Sequence, residues 1–150
     1  MLNLSLTKYY AWFLLFCFIF TCISSVLRTF FISPISFVLL ILPYLVAMVS
    51  VLYLFLKQQK RAPTRREMFK FAGMLNLLFW LFNFVGFVLV VLWMAIQDPR
   101  IWQYLVTVEP NPQLIALISL FIAIIAVPFY VITLWFYGPQ AKRMAQHMFG

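Results

Sequence analysis

A chain of 150 residues that is 66% hydrophobic and only 9% charged has too little polar surface to cover a water-soluble globule. Soluble domains carry about a quarter charged residues, and apolar runs of membrane-crossing length exclude a soluble helical protein with an oversized core. The formal net charge of +8 does not indicate nucleic acid, because the aromatic residues lie inside the apolar runs and not among Lys and Arg.

The first apolar run covers about 9–27. It follows Lys8 and resembles a signal peptide at its start, but it is longer than a typical signal h-region, so an anchor is predicted. Phe20 and Thr21 make a poor lipobox before Cys22. Cys17 and Cys22 are five residues apart, about 140° around a helix, so their thiols point to different sides and cannot form a disulfide on that helix. No His or carboxylate accompanies them, and a role as small packing residues is predicted.

A tight connection leads to Ser33 and Pro34, which read as N-cap and first helical position of a second span over about 34–56. Pro43 inside that span frees a carbonyl and bends the helix. The loop at 57–67 follows. With Lys70 just beyond it, this stretch carries Lys57, Lys60, Arg61, Arg65 and Arg66, six of the 11 basic residues. Pro63 stops the incoming chain, and Thr64 with Glu67 forms the T-x-x-E capping box of the next helix.

The third span covers about 68–96 and exceeds a perpendicular crossing, so tilt or a projecting turn is expected. In the outer loop at 97–112, Asp98 and Pro99 repeat the cap-then-proline start, and Trp102 and Tyr104 are interfacial residue types. A short helix on the membrane surface is predicted there. Asn111 and Pro112 cap a fourth span over about 113–137, which Gly138 and Pro139 are expected to end. The tail at 138–150 carries Lys142, Arg143 and His147 and reads as a short interfacial helix or a frayed end.

Orientation follows from the cations. Lys8, the six residues of the central stretch, Lys142 and Arg143 share one side, leaving only Arg28 and Arg100 on the other. The positive-inside tendency then places both termini in the cytoplasm. The predicted fold is an all-α membrane protein, a single up-down four-helix transmembrane bundle with no internal repeat. Its partners are the lipid bilayer and, at the basic loop, anionic phospholipid headgroups.

Small and polar side chains recur at helical spacing. In the fourth span Ala116, Ser119, Ala123, Ala126, Tyr130 and Thr133 follow steps of three and four, which places them on one stripe. The third span has Gly73, Asn76, Asn83 and Gly86 on one broad face with Trp80 among them. The second offers Ser36, Pro43, Ala47 and Ser50, and the first offers Cys17, Thr21 and Ser24 leading toward Arg28. Inside lipid, close backbone approach and interhelical hydrogen bonds hold helices together, so these seams read as packing surfaces. The sharper alternative is a substrate or ion path lined by the Asn pair.

No Asp, Glu, His, Lys or Arg lies at depth in any span, which argues against proton-coupled transport. There is no H-E-x-x-H, no G-x-S-x-G and no Gly-rich phosphate loop in a chain with 4 glycines, so no catalytic residue, cofactor or metal ligand is predicted. Asp98 and Glu109 read as cap and turn residues, and His147 as a solvated or interfacial side chain.

The stretch Lys57, Lys60-Arg61-Ala62-Pro63-Thr64 and then Glu67 resembles the signature of the ABZJ-type family of small four-span bacterial membrane proteins. The resemblance implies a multi-pass protein of the bacterial inner membrane and brings no activity or catalytic residues. Two functions are compatible with these features. The first is a non-enzymatic protein acting by association, as an accessory subunit or an immunity-type protein, with a membrane-protein partner or as a homo-oligomer. The second is a small oligomeric channel or transporter lined by Asn76, Asn83, Ser119 and Thr133.

Overall fold

The computed structural model describes residues 3–30 and 35–150. Helix α1 spans Asn3–Phe30, α2 Ile35–Gln59, α3 Arg65–Gln97, α4 Pro99–Thr107, α5 Pro112–Trp135 and α6 Ala141–Phe149. Four helical stretches, Leu6–Phe30, Val38–Gln59, Arg65–Gln97 and Pro112–Phe149, are long and apolar enough to cross a membrane. The chain is an up-down four-helix bundle of a polytopic membrane protein. Ser33 and Pro34, predicted to cap the second span, lie outside the described residues, as does the side chain of Ser36.

The helix starts are built locally. Thr64 Oγ1 accepts from the Glu67 amide at 3.3 Å, and Glu67 Oε2 accepts from the Thr64 amide at 2.8 Å. This reciprocal pair satisfies two amides that the first turn of α3 would otherwise leave open. Asp98 Oδ1 accepts from the Arg100 amide at 2.9 Å, and Asn111 Oδ1 accepts from the Gln113 amide at 3.0 Å, opening α4 and α5 in the same manner. Helix α2 ends with Lys60 at φ 50°, a left-handed turn closed by its amide to the Leu56 carbonyl at 2.8 Å.

The Gly138–Pro139 pair does not end the fourth span. Phe136–Gln140 form a π-helical turn that runs straight into α6. The amide of Ala141 reaches back to the Phe136 carbonyl, five residues earlier, and so spans the step where Pro139 has no N–H. Gly138 keeps a negative φ. Its lack of a side chain serves close approach, since a Cβ there would stand 2.9 Å from Met68 Sδ at the start of α3.

Side chains from α1, α2, α3, α5, the π turn and α6 meet in an aromatic core at the end of the bundle that carries the 60–64 connection, here called the basic end. Tyr44 stacks on Phe129 with centroids 4.6 Å apart and meets Phe79 edge-on at 5.0 Å. Nearer the basic end, Phe71 packs against Tyr137 at 4.9 Å and against Phe55 at 5.5 Å. Toward the opposite, far end this core stops. No residue from Trp80 to Pro128 is buried, although α3 and α5 both continue through that half.

Candidate functional site

Among the described residues, three hydrogen bonds join helices deep in the apolar core, and another, from the Tyr9 hydroxyl to Gln58 Oε1 at 3.1 Å, joins α1 to α2 at its basic-end edge. The Asn76 amide donates to the Ala126 carbonyl at 2.8 Å, joining α3 to α5. The Tyr137 hydroxyl donates to the Met48 carbonyl at 3.1 Å, joining the π turn to α2. The Tyr44 and Thr133 hydroxyls bond each other, joining α2 to α5. Thr133 has one hydroxyl proton and gives it to the Phe129 carbonyl at 2.7 Å, so Tyr44 is the donor in that pair.

The predicted seam residues are used unevenly. On α5, Thr133 is buried, Ala126 and Tyr130 are half-buried, and Ala116, Ser119 and Ala123 are exposed. On α3, Asn76 is buried, whereas Asn83 is exposed and donates to the Phe79 carbonyl of its own helix at 2.8 Å. A methyl at Gly73 or Gly86 would meet no described atom within 4 Å, so neither glycine brings two helices of this chain together. The reasons differ. Gly73 lies about 130° around α3 from the centre of its buried face, whereas Gly86 lies on that face but beyond the core.

The four residues of the channel reading therefore do not converge. Asn76 and Thr133 serve packed joints, Ser119 faces outward, and Asn83 lines a cleft among α1, α2 and α3.

At the basic end Arg61 makes a two-pronged ion pair with Glu67, both contacts at 2.8 Å, and its guanidinium lies 5.6 Å from the Phe55 ring centroid. Hydrogen bonding to Glu67 raises the Arg61 pKa above its ordinary value. Lys57, Lys60, Arg65, Arg66 and Lys70 are exposed.

Cys17 is buried and Cys22 exposed, and both are free thiols. Among the described residues no group of three or more His, Cys, Asp or Glu could hold a metal ion. No family model, curated protein or solved structure matches the chain.

Sequence reasoning did not single out Tyr44 and Tyr137, whose hydroxyls make two of the bonds deep in the core. The available signal was a phenol hydroxyl inside an apolar run, where such a group needs a partner. Chemically, the arrangement offers positioned bonds between helices and a long apolar surface on α3 and α5.

Proposed function

We propose that this is a non-enzymatic membrane protein that acts by helix association, as an accessory subunit or an immunity-type protein. The observation carrying this reading is the divided stripe of α5. Its basic-end half, Ala126, Tyr130 and Thr133, is wholly or partly buried within the chain, while Ala116, Ser119 and Ala123 continue the same stripe exposed, uncovered by any described helix. Small side chains let a second backbone approach closely in lipid, where apolar burial alone gives no attraction. Gly86 adds an open position on α3 in the same half.

The occupant that fits this stripe is a transmembrane helix of a partner protein. The basic end lies in the cytoplasm of a bacterial inner membrane, with its exposed cations held at anionic headgroups by about 1 kcal/mol each. A reporter fused to the C-terminus is then active in its cytoplasmic form only.

A photoreactive phenylalanine analogue at position 119 tests the association. Irradiation of intact membranes is expected to trap a heterologous adduct that is lost when the probe is moved to Leu120, away from the centre of the stripe. A dimer-sized adduct would assign the surface to a second copy of this chain. No adduct from position 119, or equal trapping from Leu120, would overturn association through this stripe.

A further inference from the structure

A cleft of about 160 Å³ opens in the far half of the molecule between α1, α2 and α3. Arg28, Ser24, Ser25, Thr21 and Asn83 supply its polar lining, and Leu39 and Pro43 form part of its α2 wall. Within a surface otherwise dominated by Leu, Val and Phe, that concentration of polar groups is unusual. Ser24 is only 3% exposed, and among the described residues its Oγ has no hydrogen-bond partner although Ser24 lines the cleft. A buried hydroxyl without a partner is costly. Pro43, lacking an N–H, leaves the Leu39 carbonyl without its helical donor on the opposite wall. Among the described residues Arg28 has no ion-pair partner.

The cleft does not stand alone. It shares Leu40, Phe79 and Asn83 with an apolar slot of about 100 Å³ that also includes Trp80. Trp80 and Asn83 are in turn shared with a groove of about 620 Å³ between α3 and α5, lined by Phe84, Phe87, Ile118 and Ile122. The Trp80 indole N–H is buried at this junction with no acceptor among the described residues. A cationic and hydroxylic recess thus leads past one unused donor to an apolar channel open to lipid.

From this sequence of surfaces we infer that the far half holds one anionic phospholipid-type amphiphile. Its phosphate meets Arg28 and the Ser24 hydroxyl, a glycerol-level carbonyl takes the Trp80 N–H, and an acyl chain lies along Phe84, Phe87 and Ile118. A free phosphate would satisfy only the recess and leave the Trp80 donor unused. This assignment does not rest on the helix-association reading: it uses the α1–α2–α3 cleft and the groove between α3 and α5, neither of which is lined by Ala116, Ser119 or Ala123.

The test is native mass spectrometry of the full chain after detergent exchange, titrated with phosphatidylglycerol, phosphatidylcholine of the same chain length, or inorganic phosphate. One phosphatidylglycerol is expected to be retained, with R28Q weakening it roughly tenfold or more. The leucine of Ser24→Leu would fill the floor and is expected to abolish the bound species. W80F is expected to weaken it by a smaller factor. The loop variant K60Q/R65Q/R66Q separates this site from headgroup attraction at the basic end and is expected to keep the retained lipid.

Circular dichroism melts establish that each variant is folded before it is scored, and R28Q serves if Ser24→Leu fails to fold. Equal retention by wild type and R28Q would overturn the site, as would loss of the lipid in the loop variant alone. Equal retention of phosphatidylcholine would show that the recess does not select an anion. Retention of inorganic phosphate equal to that of the lipid would assign the recess to a free anion and remove the acyl track.

Discussion

Tyr44 donates its phenol proton to Thr133, and Thr133 passes its own to the Phe129 carbonyl, so α2 is tied to α5 by a relay with a fixed direction. The direction makes the two ends unequal. Thr133→Val strands the Tyr44 hydroxyl in the core and is expected to cost about 1–3 kcal/mol. Tyr44→Phe leaves the Thr133 proton satisfied and is expected to cost about 1 kcal/mol or less. The double variant is expected to be more stable than the sum of the two costs implies. Dodecyl sulfate titration in mixed micelles, followed by circular dichroism, measures all three.

The start of α3 offers a second pair of unequal substitutions. Thr64→Ala removes the acceptor for the Glu67 amide and is expected to destabilise by about 0.5–2 kcal/mol. Glu67→Gln keeps a side chain able to accept from the Thr64 amide but loses the charge that holds Arg61. Because Arg61 is 44% exposed, that loss is expected to stay below about 1 kcal/mol. The same titration orders the two, and a larger loss for Glu67→Gln would show the ion pair to outweigh the cap.

What could be read from the sequence alone is what is completed within a few residues. The caps at Thr64, Asp98 and Asn111 each close over two or three positions, so residue type and spacing reveal them. The apolar runs are equally local, since length and composition decide whether a helix can cross. The Gly138–Pro139 signal misled because it too is local. The continuation into α6 accompanies the burial of Tyr137, whose hydroxyl bonds Met48, 89 positions away in the chain. Periodicity likewise showed which residues share the α5 stripe, but not where along its length a neighbouring helix stands. That is why Ala126 and Ser119, alike in spacing, have different surroundings. The recess at Ser24 was half visible, since Thr21, Ser24 and Arg28 follow one another at helical spacing. Its other wall, formed by Leu39 and Pro43, belongs to α2 and could not be placed.

Lys60 holds a left-handed conformation that glycine adopts without steric penalty. Replacing it with Gly is expected to raise stability by about 1 kcal/mol, the steric cost at φ 50° being offset only in part by glycine's freedom in the unfolded chain. Lys60→Ala removes the same charge without relieving the backbone and is expected to give no gain. A thermal melt of both variants in one detergent separates conformation from charge.

Asn76 and Asn83 are seven residues apart and nearly aligned on α3, yet they make different kinds of bond. The Asn76 amide crosses to the Ala126 carbonyl on α5, whereas the Asn83 amide returns to the Phe79 carbonyl within α3. Only the first can hold two helices together. Asn76→Leu is therefore expected to lower stability by roughly 0.5–2 kcal/mol, in the range of interhelical bonds in membranes. Asn83→Leu is expected to leave stability nearly unchanged, because its bond joins no second helix and its side chain is exposed. If the two asparagines shared one polar path, both substitutions would instead impair the same transport activity. Unfolding midpoints of the single variants, with the double variant matching Asn76→Leu alone, check the structural account.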